Sequence, residues 1–364
     1  ASKTGYHHGE KSLTDTIIKM AQDFLGSNNM GYFKKDGQFG TRADGGENAA
    51  DARYSEIHLA WWVPLVYNKE SIELVKKRVI DDEECEPLWL PGVIPMGIVN
   101  GTTGIATAFS TSTPCHNPLE VIKWYREKCE GKNPKPIPPW YNGFTGKMKI
   151  INRHKGNVIV EGDDEELEEE FLPGDVDSSK PLSSPKRLKD LSEDELEELD
   201  QDSLAVLGHA KHSKITLKTF GKYEITGVHK NEGPIIKVTE IPVKTWIHRY
   251  RKWLEGLIQN KSKPIWDFKD NSTTEKPEFI IHWNKNYRTP NHRTLKLTRS
   301  FGLANITLID HKGFPTRYSC VQEVMEVYYK HMINHYNQVR QNRIDSEEKK
   351  MKDITYKMKF ILHV

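Results

Sequence analysis

Cysteines, long apolar runs and targeting segments are scarce in this sequence of 364 residues. The four cysteines show no Cys-x-x-Cys spacing, which argues against a zinc site or a disulfide framework and favours reduced thiols of an intracellular protein. No run of eighteen apolar residues is present, so we expect no membrane span. The N-terminus has neither the apolar segment of a signal peptide nor an initiator Met, which predicts an excised fragment.

Motifs for nucleotides and metals are also missing. Residues 95–108 predict a short strand and a glycine- and threonine-rich turn, but they contain neither GK[ST] nor GxGxxG before a helix. His7 and His8 are adjacent, yet no third metal ligand follows at a useful spacing. Asp175 and Asp177 form an Asp-x-Asp pair, but it lies in an acidic segment rather than between a strand and a loop. We therefore expect no metal or nucleotide to bind within this chain.

Charge is distributed unevenly, although the net charge is only +2. Residues 161–202 hold 18 acidic and 4 basic side chains, which leaves a surplus of about +16 in the rest of the chain. We interpret about 161–212 as a flexible acidic insertion, with one possible helix at 192–199. The basic surplus suits a polyanionic partner, and a merely solubilising surface is the alternative.

Apolar spacing predicts four helical regions, at residues 12–25, 54–78, 119–130 and 242–259, and a long helical arm at 320–364. Strands are predicted at 148–151, 158–160, 215–220, 222–228, 235–240, 279–283, 295–300 and 305–309. The proline-rich segment 134–139 indicates a domain boundary. The adjacent Trp61 and Trp62 are interpreted as core residues. Together these elements predict a mixed α+β fold.

The candidate chemical centre is Tyr54, which directly follows Arg53 and a glycine-rich stretch at 37–46. A tyrosine hydroxyl, with a pKa near 10, is a poor nucleophile until cations stabilise its anion. The arginine supplies such a cation, and the glycines allow a phosphate backbone to come close. Lys11 and Ser12 stand at the start of the first helix, where free N–H groups favour a phosphate, and Lys19 lies on its polar side. This helix fits the recognition helix of a winged-helix unit.

These motifs, in their order and spacing, resemble those of the type IIA DNA topoisomerases over the whole chain. The segments that carry the resemblance are Tyr-His-His-Gly-Glu at 6–10, Met-Ala-Gln at 20–22, Gly-Ser-Asn-Asn at 26–29, Gly-Gln-Phe-Gly-Thr-Arg at 37–42, Arg-Tyr at 53–54, Val-Asn-Gly at 99–101 and Gly-Ile at 104–105. The resemblance implies a winged-helix domain at 1–118, a β-rich tower domain at 119–318 and the start of a coiled-coil arm at 319–364. The mixture of eukaryotic-type and gyrase-like segments suggests a divergent enzyme of a large DNA virus.

The resemblance also implies roles for individual residues. Tyr54 would attack a DNA phosphodiester and form a 5′-phosphotyrosyl link, while Arg53 would bind the same phosphate. His8, with His7 as a second candidate, would stabilise that phosphate or manage the proton. Ile105 would wedge between base pairs. The residues expected to hold DNA near the break are Lys11, Ser12, Lys19, Gln38 and Arg42. Ala52 stands where the family often has proline, so the turn before the arginine is expected to be less rigid.

The family's other parts are expected outside this chain. Mg²⁺ would be bound by a Toprim domain and ATP by an ATPase domain, so the fragment alone should not relax supercoils. The implied partners are double-stranded DNA and a second copy of the enzyme, without a membrane. The implied location is the nucleus, or the host cytoplasm for a viral enzyme. A tyrosine recombinase is disfavoured because its tyrosine lies near the end of the chain. A non-catalytic DNA-binding scaffold is the remaining alternative.

Overall fold

The computed structural model describes residues 4–80, 82–106, 109–154, 157–160, 214–229, 233–260, 264–303 and 305–363. The predicted acidic insertion and its helix lie outside these residues. The helices of the described part are α1 Glu10–Ala21, α2 Val63–Val66, α3 Lys69–Glu73, α4 Met96–Val99, α5 Pro118–Cys129, α6 Ile247–Ile258 and α7 Val321–His363, with a 3₁₀ turn at Ala52–Tyr54. The mixed α+β class is therefore confirmed.

The strands of the described part pair throughout in antiparallel fashion. They are β1 Phe33–Asp36, β2 Glu56–Leu59, β3 Lys77–Ile80, β4 Glu83–Pro87, β5 Thr102–Ala106, β6 Phe109–Thr113, β7 Lys147–His154, β8 Asn157–Val160, β9 Lys214–Phe220, β10 Lys222–His229, β11 Gly233–Glu240, β12 Ile265–Asp270, β13 Phe279–Trp283, β14 Thr298–Gly302, β15 Ile306–Ile309 and β16 Pro315–Tyr318. Two sheets have four strands, in the orders β10-β11-β13-β12 and β14-β9-β7-β8, and the other strands form two-stranded pairs.

The first four-stranded sheet and α6 enclose one hydrophobic core. Along α6, Ile247, Tyr250 and Leu254 recur at helical spacing and are all buried against the sheet. Their partners include Ile236 and Phe279, whose side chains are fully buried on the facing strands. The predicted strands of this β-rich region are present, with bounds shifted by a few residues.

A second core joins the N-terminal region to the beginning of the long arm. Trp62 and Ile98 pack there with Trp124 of α5, with Ile306 of β15 and with Met325 of α7. The sequence division assigned α5, β15 and β16 to the tower region, whereas their apolar faces are buried in this N-terminal core. Residues from both sides of positions 118 and 318 thus share one core.

The region predicted as a helix at 54–78 differs from the expectation. It contains β2, the short helices α2 and α3 and the start of β3. Strand β2 exposes most of its side chains and is fixed by backbone pairing with β1, a long-range effect that apolar spacing cannot register. Within the same region Trp62 is buried, as expected, but Trp61 is exposed. The segment after Pro95 also begins as the helix α4, and its strand comes later, as β5.

The arm is a helix of 43 residues, α7, as the sequence predicts. Val324, Met325, Met332 and His335 are buried on it, whereas its side chains from position 341 onward are exposed. No helix of the described residues is long and apolar enough to span a bilayer.

Candidate active site

Tyr54 ends a single 3₁₀ turn that projects from the protein surface. Asp51 precedes this turn, and its carboxylate accepts a hydrogen bond from the backbone N–H of Arg53. Directly after the turn, β2 pairs with β1, so that Glu56 lies opposite Asp36. The Tyr54 side chain is 72% exposed, and no described residue donates to or accepts from its hydroxyl. The hydroxyl is therefore open to an approaching substrate.

Arg53 is held beside the tyrosine by a carboxylate that sequence reasoning missed. One guanidinium nitrogen donates to Asp51 Oδ2 at 3.0 Å, and the guanidinium carbon lies 5.7 Å from the centre of the Tyr54 ring. The hydrogen bond from Arg53 lowers the pKa of Asp51, and the same bond raises the pKa of Arg53. An Asp directly ahead of a short turn is a capping signal, which could have indicated this residue.

Residues 37–51 form a glycine-rich loop, which we call the tyrosine loop. This loop packs against the backbone of the 3₁₀ turn that ends at Tyr54. Gly37 has φ +109°, and an added Cβ would lie 2.8 Å from the carbonyl oxygen of Tyr54. Gly40 has φ +88°, and its added Cβ would lie 2.5 Å from the carbonyl oxygen of Gly46. Gln22, at the end of α1, donates to the carbonyl oxygens of Phe39 and Gly46 at 2.8 and 3.2 Å. The glycines thus permit close backbone contacts that fix the tyrosine turn.

Arg42 is placed differently from the expectation. Its side chain is 4% exposed and forms a buried ion pair with Glu240 at the end of β11. It also donates to the carbonyl oxygens of Glu275 and Ile241, at 3.2 and 3.4 Å. A buried guanidinium with three internal acceptors has no surface for a DNA phosphate. We therefore correct its predicted DNA-binding role. Gln38, four residues earlier, is exposed as that role requires.

The two candidate histidines lie before α1 as exposed side chains. Their rings lie 4.6 Å apart, and Tyr6 contacts His8 edge-on at 5.6 Å. Glu86 of β4 accepts a hydrogen bond from the Gly5 N–H at 2.7 Å and so ties this segment to the β3–β4 hairpin. Among the described residues, no hydrogen bond or ring contact joins either histidine to Tyr54. Their participation at the tyrosine therefore remains a prediction.

The other predicted DNA-contacting residues are exposed. Lys11, Ser12 and Lys19 lie on the surface of α1. The N-cap residue of this helix is Gly9, which has no side chain to cap the first N–H groups. Ile105 lies on β5, opposite Ser110 of β6, and is 87% exposed. It therefore protrudes as expected, although from a strand rather than from a turn.

No group of three or more His, Cys, Asp or Glu side chains in the described part of the chain could hold a metal ion. The chemistry that Tyr54 and Arg53 can support consists of nucleophilic attack by the tyrosine and charge stabilisation by the arginine beside it.

Similarity to known proteins was found over nearly the whole chain. The profile of the family described as the A subunit of DNA gyrase/topoisomerase IV matches residues 2–177 and 203–364. DNA topoisomerase 2 of Arabidopsis thaliana is 26% identical over 368 residues, covering 99% of this chain and 21% of that protein. DNA topoisomerase 2 of Drosophila melanogaster is 33% identical over 254 residues, covering 66% of this chain and 17% of that protein. The chain thus spans about a fifth of the length of these relatives.

A solved structure extends the similarity to the fold. The crystal structure of the Plasmodium falciparum topoisomerase II DNA-binding, cleavage and re-ligation domain superposes with a TM-score of 0.76. The two sequences are 26% identical, and the match covers 99% of this chain and 41% of the Plasmodium chain.

Proposed function

Because the chain belongs to the family of DNA gyrase/topoisomerase IV A subunits, we propose that it cleaves and reseals DNA with Tyr54 as the nucleophile. The observation that carries the proposal is the exposed Tyr54 hydroxyl beside Arg53, on a turn supported by close glycine contacts. The chain corresponds to the breakage–reunion core of type II DNA topoisomerases. The domain division into winged helix, tower and arm is part of this proposal.

The reaction is a transesterification. The Tyr54 oxygen attacks the phosphorus of a DNA phosphodiester, the new bond joins tyrosine to the 5′ side, and the bond from phosphorus to the 3′ oxygen breaks. The phenolic proton leaves the tyrosine, and the 3′ oxygen gains a proton. The reverse reaction reseals the strand. Because the phosphotyrosine diester retains the energy of the cut bond, resealing needs no nucleotide.

Arg53 stabilises the negative charge that develops on the five-coordinate phosphorus. Its single described bond to Asp51 leaves other N–H groups of the guanidinium for the phosphate. Removing one such donor costs about 10²–10³ in rate at comparable sites. His8 and His7 are the candidates for moving the proton. Lys11, Ser12, Lys19 and Gln38 are proposed to hold the DNA backbone, and Ile105 to wedge into the base stack.

In the whole enzyme we propose a homodimer that passes one DNA duplex through another in an ATP-dependent reaction. Mg²⁺ would be held by a Toprim domain and ATP by an ATPase domain, outside these residues. We further propose a viral source, because the sequence resembles the African swine fever virus enzyme. The location is then the host cytoplasm, whereas a source other than a virus would place it in the nucleus. Staining of infected cells that places the protein only in the nucleus would contradict the cytoplasmic location.

A covalent trapping assay tests the cleavage proposal. The chain, with and without a Toprim portion, is mixed with end-labelled duplex DNA and Mg²⁺ and then denatured with detergent. We expect label to stay with the protein when the Toprim portion is present, and to be lost in Tyr54→Phe. We expect no relaxation of supercoils by the chain alone.

The alternative, a DNA-binding scaffold, gives a different pattern. DNA would then bind equally well before and after Tyr54→Phe, and no label would be trapped even with the Toprim portion present. That outcome would replace the cleavage proposal.

A further inference from the structure

The tyrosine loop contacts the region around β11, α6 and the loop before β13 through several independent interactions. These contacts are long-range, joining residues 42–45 to residues 240–275. They connect the segment that carries Tyr54 to a sheet whose core is separate from the N-terminal core. The contacts are an ion pair, a close packing of an indole ring on a glycine, and hydrogen bonds.

The deepest contact is the ion pair of Arg42 with Glu240. Glu240 is 3% exposed, and its second oxygen accepts a hydrogen bond from the Thr145 hydroxyl at 3.1 Å. Buried ion pairs depend strongly on geometry because each charge has lost its hydration. Since the acceptors of Arg42 surround its guanidinium, the pair fixes the beginning of the loop relative to β11.

Two further contacts fix the middle of the loop. Trp246, the residue before α6, packs so closely on Gly45 that an added Cβ would lie 2.3 Å from its indole ring. His248 Nδ1 lies 2.6 Å from Asp44 Oδ1, and the backbone N–H of His248 donates to the carbonyl oxygen of Ala43 at 3.1 Å. The start of α6 thus contacts three successive loop residues.

Hydrogen bonds within the tyrosine loop connect residues 42–45 to the turn that ends at Tyr54. The amide N–H of Thr41 donates to the Asn48 side chain at 2.9 Å, and the Ala50 N–H donates to the carbonyl oxygen of Gln38 at 2.8 Å. Gly37 then contacts the Tyr54 carbonyl. These contacts form a continuous path from residues 42–45 to the backbone under Tyr54.

We propose that Glu240, Trp246 and His248, with their loop partners Arg42 and Asp44, are positioning residues that set the place of Tyr54 for attack on DNA. The proposal rests on the proposed cleavage function. The five residues act through the loop rather than by touching the phosphate. Their predicted signature is a slower chemical step at unchanged DNA affinity, since a small misplacement of a nucleophile costs up to about 10²-fold in rate.

Conservative substitutions test the positioning role best, because breaking the buried Arg42–Glu240 ion pair endangers folding. In the chain supplied with the Toprim portion and Mg²⁺, we would measure DNA affinity and the rate of covalent trapping at saturating DNA. His248→Gln, Asp44→Asn and Trp246→Phe are expected to slow trapping about 10–100-fold and to change the dissociation constant less than about twofold. Glu255→Gln, an exposed side chain on the same helix, is the matched control and should behave as the parent.

Coupling between Asp44 and His248 gives a second readout. The double variant Asp44→Asn/His248→Gln should slow trapping by less than the product of the two single effects, because both substitutions weaken the same contact. His248→Arg, which keeps a hydrogen-bond donor opposite Asp44, should recover part of the rate. Trapping rates equal to the parent, or rate and affinity falling together in each variant, would overturn the proposal.

Hydrogen exchange separates this inference from the cleavage proposal. Exchange in residues 37–51 of His248→Gln and Trp246→Phe should rise above that of the parent and of Glu255→Gln, whether or not DNA is cut. If the parent never traps DNA, the cleavage function fails. If the parent traps DNA but loop exchange and trapping are unchanged in the variants, the positioning role alone fails.

Discussion

Replacing Gly37 by alanine perturbs Tyr54 without altering any functional side chain. Gly37 adopts φ +109°, which L-residues avoid at a cost of about 1–2 kcal/mol. The new Cβ would also lie 2.8 Å from the carbonyl oxygen of Tyr54. Because that oxygen belongs to the backbone, no rotamer change can relieve the contact, and the tyrosine turn must move by several tenths of an ångström.

Gly143 provides the matched control for this substitution. It has φ +79°, but an added Cβ meets no atom within 4 Å. Gly143→Ala should therefore bear only the cost of the positive φ angle and no steric cost. We expect its free energy of unfolding to fall by about 1–2 kcal/mol. Gly37→Ala should lose at least as much and should in addition slow covalent trapping by roughly 10–100-fold.

Urea unfolding and the trapping assay together check this prediction. The decisive comparison is the trapping rate of the two variants at equal DNA occupancy. If Gly37→Ala traps DNA at the parent rate, the close approach of Gly37 does not position Tyr54, and the reasoning about the loop is refuted. A slow Gly143→Ala variant would instead point to a global effect of the lost stability.

Three other substitutions test separate features. Arg42→Gln leaves the buried Glu240 carboxylate unpaired and should lower the free energy of unfolding by about 3–5 kcal/mol in urea titrations, whereas an unchanged value would argue against a buried pair. Ile105→Ala removes three carbons from the exposed side chain that is proposed to wedge into the base stack. It should lower the population of bent DNA, measured by fluorescence energy transfer, roughly 30-fold, which corresponds to roughly 2 kcal/mol. Burial lowers the pKa of His116 to about 4, so the unfolded chain, with a pKa near 6.5, binds a proton first as pH falls. Stability should therefore be complete above pH 6.5 and should drop by about 3 kcal/mol towards pH 4, and His116→Gln should flatten this dependence.

Local patterns in the sequence predicted those elements whose apolar faces are continuous. Helix α6 and the buried first part of α7 have such faces, and so have β10, β11 and β13, whereas β12 of the same sheet was not predicted. The segment 54–78 was predicted wrongly because its β2 strand is defined by backbone pairing with β1, which leaves almost no apolar signature. Trp61 likewise looked like a core residue, but it is exposed. Its neighbour Trp62 is the one that contacts Gly31 and Tyr32, and adjacent side chains cannot both face that side.

For the candidate site, the sequence indicated the exposed residues better than the buried ones. Tyr54 and Ile105 are presented to solvent as expected. Arg42 was assigned to DNA through the family resemblance alone. Its partner Glu240 is nearly two hundred positions away, so no local pattern could reveal the ion pair. Asp51 was within reach of sequence reasoning as a capping residue but was overlooked.

The long helix α7 also has a mechanical consequence. Its first turns pack in the N-terminal core through Val324 and Met325, and Arg343 forms an ion pair with Glu70 of α3, whereas the side chains from position 344 onward are exposed. At 1.5 Å per residue the whole helix extends about 65 Å, and the part after Arg343 extends about 30 Å. A tilt of about 5° at Arg343 therefore moves the tip of the helix by about 3 Å. Because the base of the helix packs in the same core as Trp62, eight residues after Tyr54, a small repacking of that core would be magnified at the far end.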